Sequence, residues 1–104
     1  MANRQINIEN VTMKEILISM RRLGGQVTRR EICSDIRDNS TAISEQEVNE
    51  VKVSKKTGNK YKPFDYTFNY AVMYLVRTGF LTEDDHQVEL SEKGRKVNLD
   101  IFNP

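Results

Sequence analysis

The order of segments in residues 52–90 admits few folds. A lysine-rich polar loop comes first, followed by a long aromatic helix that ends at Gly79 and by the apolar pair Phe80-Leu81. An acidic turn over residues 82–86 and an alternating strand complete the stretch. A winged helix-turn-helix presents its recognition helix and its wing in this order. We therefore expect the rest of the chain to support that helix.

The helix of this stretch has two faces of different chemistry. Lys62-Pro63 opens it and Gly79 ends it, because proline is tolerated in a first turn and glycine readily adopts a left-handed conformation. At about 100° per residue, one face collects apolar side chains that we expect in the core: Phe64, Phe68, Ala71, Val72 and Leu75. The opposite face carries Tyr66, Asn69, Tyr70, Met73 and Arg77.

Earlier residues predict compact helices joined by short turns. Residues 1–11 are polar and predict a flexible lead-in, with residues 5–8 as a candidate strand. Thr12-Met13-Lys14-Glu15 has the pattern of a capping box, and it opens a helix with one apolar face that ends at Gly24-Gly25.

Two further capping boxes follow the first helix. Thr28-Arg29-Arg30-Glu31 opens a helix that ends near Asp38-Asn39-Ser40. Ser44-Glu45-Gln46-Glu47 opens another, which carries Val48 and Val51.

After the long helix, Val88 and Leu90 alternate with polar residues as in a half-buried strand. Ser91-Glu92-Lys93-Gly94 opens a last helix, followed by apolar residues that can pack back on the core: Val97, Leu99, Ile101 and Phe102. The sequence thus predicts a mainly α (α+β) winged helix-turn-helix with four to five helices and a small C-terminal β-hairpin wing. A single domain over residues 12–104 is expected.

Composition excludes several kinds of function. Sixteen basic and fifteen acidic residues give a net charge of +1, so the distribution of charge has to decide the partner. A single cysteine and a single histidine supply too few ligands for a zinc site, and the chain has no glycine-rich phosphate loop. Glu50-Val51-Lys52 with Asp38 is the one grouping that resembles a magnesium-dependent nuclease, but a solvated helical face explains it better. We expect no cofactor, no metal and no enzymatic activity.

The chain has no apolar run of about 18 residues and no apolar signal core. A cytoplasmic protein without membrane contact is therefore expected.

Charge is concentrated in front of the long helix. Five lysines and no acid lie within residues 52–62: Lys52, Lys55, Lys56, Lys60 and Lys62. Lysines neutralise phosphates and release counterions, which gives affinity for any DNA sequence. On the helix, Asn69 can pair with adenine, Arg77 can reach guanine or phosphate, and Tyr66 and Tyr70 can donate to phosphates. A solvated loop before an amphipathic core helix, or a surface for a protein partner, is the alternative.

Other charges refine this expectation. Arg29 and Arg30 begin a helix, where positive charge is locally unfavourable, so we predict that they contact phosphate. Arg21-Arg22 ends a helix, where the helix dipole favours positive charge without any ligand. Residues 82–92 contain five acids and no lysine or arginine, so the wing would repel phosphate. It would then point away from the duplex or touch another chain.

The second half of the chain resembles the N-terminal domain of Mrr-type restriction endonucleases. In that family a helix ending in leucine, a small residue and glycine precedes an apolar pair, and a short hairpin leads into a Thr/Ser-Glu-x-Gly turn. Here the corresponding segments are residues 64–81 and Val88-Glu89-Leu90-Ser91-Glu92-Lys93-Gly94. The resemblance implies a winged helix that delivers DNA to a separate nuclease, often one acting on modified DNA. The helix with Tyr66, Asn69 and Tyr70 would then read the duplex.

The predicted function is therefore duplex DNA binding by the target-recognition module of a restriction-type system. The residues expected at the DNA are Arg29, Arg30, Lys55, Lys56, Lys60, Lys62, Tyr66, Asn69, Tyr70 and Arg77. Further partners to consider are a second copy of the chain and a nuclease domain or subunit. The alternative is a winged helix used for protein interaction or dimerisation, or a small transcription regulator.

Overall fold

The structure is a computed structural model that describes residues 4–102, with side chains described from residue 9 onward. Its elements are α1 (Arg4–Leu23), α2 (Arg29–Asn39), α3 (Glu45–Asn49), β1 (Lys52–Val53), β2 (Lys60–Tyr61), α4 (Pro63–Arg77), β3 (Leu81–Asp84), β4 (Gln87–Leu90), α5 (Glu92–Lys96) and a 3-10 helix (Leu99–Phe102). This is the predicted mainly helical α+β architecture, a winged-helix-like fold with a C-terminal β3–β4 hairpin. None of the helices within the described residues has the length and apolar character needed to cross a bilayer.

Helix α1 begins earlier than the sequence predicts. Its first residue is Arg4, so the strand predicted over residues 5–8 is wrong. The predicted domain start at residue 12 falls inside the helix, and residues 1–3 lie outside the described residues. Thr12 does not cap a helix start, because it lies mid-helix with a buried side chain. Val11 packs against the core, so the apolar stripe extends back beyond the threonine.

Helix α4 lies at the centre of the packing and contacts α1 most extensively. All of its predicted inner-face residues are buried: Phe64, Phe68, Ala71, Val72 and Leu75. They share one hydrophobic core with Ile16, Leu17 and Met20 of α1 and with Ile32 and Ile36 of α2, which are also buried. The helical periodicity of the sequence therefore identified the core-facing side of α4 correctly.

The wing is a tight antiparallel hairpin. Leu81 pairs with Leu90, and Asp84 pairs with Gln87 at the other end. The sequence predicted a turn of five residues, 82–86, but the observed turn has two, because only Asp85 and His86 lie between the strands. Both adopt a left-handed backbone, with φ of 49° and 67°. Two positive φ values are what a two-residue turn matching the twist of its strands requires.

One more backbone contact attaches the wing to the helices. Val27, between α1 and α2, forms an isolated antiparallel bridge with Val88 of β4. The Val27 amide donates to the Val88 carbonyl at 2.9 Å, and the Val88 amide donates in return at 2.6 Å. The start of α2 is thereby held beside the wing.

The predicted lysine-rich loop is a β-hairpin. Lys52 pairs with Tyr61 and Val53 pairs with Lys60. Between them the Ser54 amide donates to the Asn59 carbonyl at 2.8 Å, and Gly58 takes a φ of +73°. Thr57-Gly58-Asn59 has the residue types of a turn, but the two-residue strands are too short to give a visible alternation in the sequence. We call residues 52–61 the lysine hairpin.

Two of the predicted caps begin α2 and α3. Thr28 Oγ1 accepts from the Glu31 amide at 3.1 Å, and Glu31 Oε1 accepts from the Thr28 amide at 3.2 Å, which completes a capping box. Ser44 accepts from the Glu47 amide at 3.1 Å. Helix α3 ends at Asn49, so the prediction that it carries Val51 is wrong, and the Val51 side chain is exposed.

The Ser-Glu-Lys-Gly turn seats α5 against the end of α4. Ser91 Oγ accepts from the Gly94 amide at 3.0 Å and donates to the Gly79 carbonyl. Lys93 Nζ donates to the Thr78 carbonyl at 2.8 Å and lies 4.4 Å from the centre of the Phe80 ring. Orphan carbonyls at the α4 C-terminus therefore gain donors from the next helix.

The chain after α5 packs back only in part. Phe102 is buried, with its ring edge-on to that of Phe80 at 5.7 Å between centroids. Val97 and Leu99 are half-buried against the core. Ile101 is exposed, which contradicts its predicted inward position, because the last turn is a 3-10 helix rather than an α-helix.

Candidate nucleic-acid interface

The outer face of α4 is open to solvent. Tyr66 and Tyr70 are 60% and 61% exposed, and Asn69 and Met73 are exposed beside them. The sequence placed these side chains opposite the core, and their exposure confirms that placement. Two phenol hydroxyls, one carboxamide and one thioether are thereby available to a ligand along about two helical turns.

The lysine hairpin adjoins the first turn of this face. The Tyr61 ring of β2 packs edge-on against the Tyr66 ring of α4, with 5.9 Å between centroids and 73° between planes. Both rings line an open hollow together with hairpin lysines: Lys52, Lys55, Lys56 and Lys60. The lysine side chains are exposed. Positive charge and the aromatic start of α4 thus form one continuous surface.

Arg29 has its guanidinium engaged within the fold. Its Nε and Nη2 donate to the two carboxylate oxygens of Glu83 at 2.6 and 2.7 Å, and its Nη1 donates to Asn69 Oδ1 at 3.0 Å. The hydrogen bonds from Arg29 lower the pKa of the Glu83 carboxyl, and those to Glu83 raise the pKa of Arg29. Both groups stay charged at neutral pH. A phosphate contact by Arg29 would first require this bridge to open.

A cleft between α2 and α4 collects other predicted residues. Arg30 from α2 and Lys62 ahead of α4 line it, together with Asn69 and Asp65 of α4. Arg30 and Lys62 are exposed. Half-buried Cys33 also lines the cleft, and burial, followed by the charge of Asp65, raises the pKa of its thiol. The thiol is therefore protonated and a poor nucleophile at neutral pH.

Arg77 lies apart from this cleft. It follows Asn69 by eight residues, which corresponds to about 12 Å along the helix axis. It lines a groove between α1 and α4 with Glu9, Met13 and Tyr74, and with Tyr70. Tyr74 is exposed, and the sequence analysis missed it although it lies one turn beyond Tyr70.

The arginines at the end of α1 have partners in the fold. Arg21 Nη2 donates to the carbonyls of Gly94 at 3.1 Å and Val97 at 2.8 Å. Arg22 Nε donates to both carboxylate oxygens of the buried Asp35, at 3.1 and 3.0 Å. These contacts, rather than the helix dipole alone, explain why two arginines stand at the end of α1.

Wing acids are partly engaged with nearby cations. Glu89 accepts from Gln26 Nε2 at 3.1 Å and lies 3.5 Å from the Arg95 guanidinium. Asp84 and Asp85, at the tip, are exposed. The tip therefore presents negative charge to solvent, as the sequence indicated.

The grouping that resembled a nuclease motif lies at the surface. Glu50 and Lys52 form an exposed pair with 3.9 Å between Oε1 and Nζ. Asp38 pairs with the neighbouring Arg37 at 2.9 Å. Within the part of the chain that the structure describes, no three His, Cys, Asp or Glu residues are grouped to hold a metal ion.

Comparison with known proteins identifies the family. The model of the Mrr N-terminal domain matches residues 10–99, which leaves out nine residues at the start of the 104-residue chain and five at its end. No curated protein and no solved structure matched the chain. The match includes α1 from residue 10 onward, α2, the lysine hairpin, α4 and the wing. The chain therefore belongs to the Mrr N-terminal domain family.

Proposed function

We propose that this domain binds duplex DNA and serves as the target-recognition module of a restriction-type system. The observation that carries the proposal is the contiguity of the lysine hairpin with the outer face of α4, joined by the contact of Tyr61 with Tyr66. An exposed helix face of this length suits the major groove, which admits one α-helix. The lysines beside it would meet the phosphates that border the groove.

The two parts of the surface contribute differently. Lys55, Lys56, Lys60 and Lys62 supply affinity by neutralising phosphates, and this affinity is independent of sequence and sensitive to salt. Asn69 supplies sequence discrimination, because a carboxamide matches the donor and acceptor pair on the major-groove edge of adenine. Tyr66 and Tyr70 donate to phosphates or pack against base methyl groups.

Charge decides how the domain is oriented on the duplex. Asp84 and Asp85 at the tip of the β3–β4 wing would be repelled by phosphate. The lysine hairpin precedes α4 in the chain, whereas the wing follows it. In this proposal the hairpin contacts the phosphates instead of the wing. Arg30, exposed in the α2–α4 cleft, adds a further phosphate contact.

The domain itself performs no catalysis in this proposal. Cleavage belongs to a nuclease domain or subunit that the domain brings to its site in the cytoplasm. A second copy of the chain could bind an adjacent half-site.

Salt dependence tests the proposal directly. Binding of 20-base-pair duplexes, unmodified, methylated and hydroxymethylated, would be measured by fluorescence anisotropy between 50 and 200 mM salt. Phosphate-driven binding weakens steeply over this range in proportion to the number of contacts. Absence of binding to all three duplexes at about 50 mM salt would refute the proposal.

A protein-interaction role is the second candidate, and one observation favours it. The groove between α1 and α4 is lined by Met13, Tyr70, Ala71, Met73 and Tyr74, which give it an apolar surface. Tyrosine and methionine are enriched at protein interfaces. Sedimentation of the domain at increasing concentration tests whether a second copy occupies the groove. If a second copy does bind there, Tyr74→Ala should weaken self-association without affecting duplex binding.

A further inference from the structure

The side chain of Arg29 links the wing to the outer face of α4. Glu83 accepts two hydrogen bonds from it, and Asn69 accepts one through Oδ1. All three nitrogens of the guanidinium therefore donate a hydrogen bond. We call this arrangement the Arg29 bridge.

Backbone pairing explains why Arg29 and Glu83 meet. Val88 pairs with Glu83 across the wing hairpin, and on its other side it forms the bridge with Val27. Arg29 follows Val27 by two residues and begins α2. The wing strand is thereby held at the start of α2, with Glu83 in reach of the guanidinium.

The Arg29 bridge also fixes the orientation of the Asn69 carboxamide. A guanidinium has donors and no acceptor, so the carboxamide atom that faces it has to be the oxygen. The Nδ2 group then points away from Arg29, and Oδ1 retains one lone pair. An asparagine held in this way offers one acceptor and its NH2 donors, the combination that pairs with N6 and N7 of adenine.

We infer that Arg29 is a positioning residue for sequence discrimination, anchored by Glu83 and acting through Asn69. The inference rests on the proposed DNA-binding function. A free asparagine can rotate its carboxamide and present the wrong atom to each adenine position. Holding it in one orientation before DNA arrives removes that ordering cost from binding.

This role differs from the phosphate contact that the sequence suggested for Arg29. Its charge is matched by Glu83 at hydrogen-bond distance, so little of it is left to attract phosphate. It also differs from a simple stabilising ion pair. The Arg29 and Glu83 side chains are 34% and 26% exposed, and ion pairs open to solvent contribute little to folding. In this inference the acidic wing of a DNA-binding domain has a role, because its Glu83 anchors Arg29.

Selection from random duplexes tests the inference. The wild-type domain, Arg29→Gln and Glu83→Gln would each be bound to a random 20-base-pair pool, and the bound duplexes sequenced. The control is Arg95→Gln, which removes an ion pair to Glu89 on the other wing strand. We expect both bridge variants to lose discrimination at one adenine position by about tenfold, and the control to keep it.

Salt slopes separate positioning from phosphate contact. The double variant Arg29→Gln with Glu83→Gln removes both charges of the pair, so it should leave the slope of log affinity against log salt unchanged, whereas loss of a phosphate contact would lower it by about 0.9. Glu83→Gln should strengthen binding to all duplexes and steepen the slope, because it releases the Arg29 charge. If both bridge variants keep wild-type discrimination, the inference is overturned while DNA binding stands.

Nuclear magnetic resonance of the free domain gives a second readout. The side-chain amide resonances of Asn69 should move in Arg29→Gln and Glu83→Gln and stay in place in Arg95→Gln. Unmoved resonances in the bridge variants would overturn the inference. If the wild-type domain binds no duplex, the proposed function fails and the inference falls with it, even where the resonances move.

Discussion

The Cα of Gly94 lies directly against the backbone carbonyl of Phe80. A Cβ at Gly94 would come within 2.0 Å of the Phe80 oxygen and 3.0 Å of its carbonyl carbon. The oxygen belongs to backbone that also accepts from the Ser91 amide at 3.1 Å, so it cannot move aside freely. This close approach gives the Ser-Glu-x-Gly turn of the family a packing reason: only glycine lets α5 sit on the junction of α4 and the wing.

Gly94→Ala should therefore destabilise the domain by about 3 kcal/mol or more, since forced overpacking against fixed atoms costs this much. Urea denaturation followed by circular dichroism measures the loss. The matched control is Gly25→Ala, where φ is +67° but nothing lies within 4 Å of the added atom, so only backbone strain of about 1–2 kcal/mol is expected. Equal losses in the two variants would contradict the packing explanation.

The buried carboxylate of Asp35 should make stability depend on pH. It accepts hydrogen bonds from Arg22, from Ser19 at 2.6 Å and from Asn39 at 2.8 Å. The Arg22 hydrogen bonds contribute most to lowering the pKa of Asp35 below its ordinary value. Because the folded pKa is depressed, the stabilisation is complete above the unfolded pKa of about 3.9 and is lost as pH falls through the folded value.

Asp35→Asn should cost about 2 kcal/mol at pH 7, because it removes charged hydrogen bonds and leaves Arg22 without its partner. It should also flatten the loss of stability with acid below about pH 5. Urea midpoints between pH 3 and pH 7 measure both effects. An unchanged acid dependence would mean that other carboxylates dominate it.

The lysine hairpin and Lys62 should control affinity without controlling sequence preference. Changing Lys55, Lys56, Lys60 and Lys62 to glutamine together should weaken binding to every duplex and reduce the salt slope by about three to four. The control is Lys96→Gln, which lies in α5 and pairs with Glu92. Salt titrations by fluorescence anisotropy provide the measurement. A slope that stays at the wild-type value would place the DNA elsewhere on the surface.

Asn69→Ala should act on one sequence only. Loss of a bidentate contact to adenine is expected to cost about 1–3 kcal/mol on the preferred site and nothing on unrelated duplexes. Competition binding with both duplexes gives the comparison, and Gln46→Ala, exposed on α3, is the control. Equal weakening on both duplexes would show that the reading face has been misidentified.

Some features of this protein followed from the sequence because they depend on neighbours three or four residues away. Buried Phe64 and exposed Tyr66 follow from helical periodicity along α4. The caps at Thr28 and Ser91 follow from a hydroxyl three residues before the amide that it accepts from. The same local reasoning failed at Thr12, where a capping pattern lies inside a longer helix that packing against α4 favours.

The surface charges were determined by the sequence, but their roles were decided by tertiary structure. Arg29 has the charge and the helix-start position that suit a phosphate ligand, and its neighbours in the sequence do not indicate another role. Its partners Glu83 and Asn69 are 54 and 40 residues away in the chain, and the bridge of Val27 to Val88 holds Glu83 beside Arg29. In the same way, the sequence of residues 52–62 shows the lysines. The contact of the lysine hairpin with α4 depends on the Tyr61 ring packing against that of Tyr66. Local patterns set which face is buried, and long-range pairing sets which charges are free to bind.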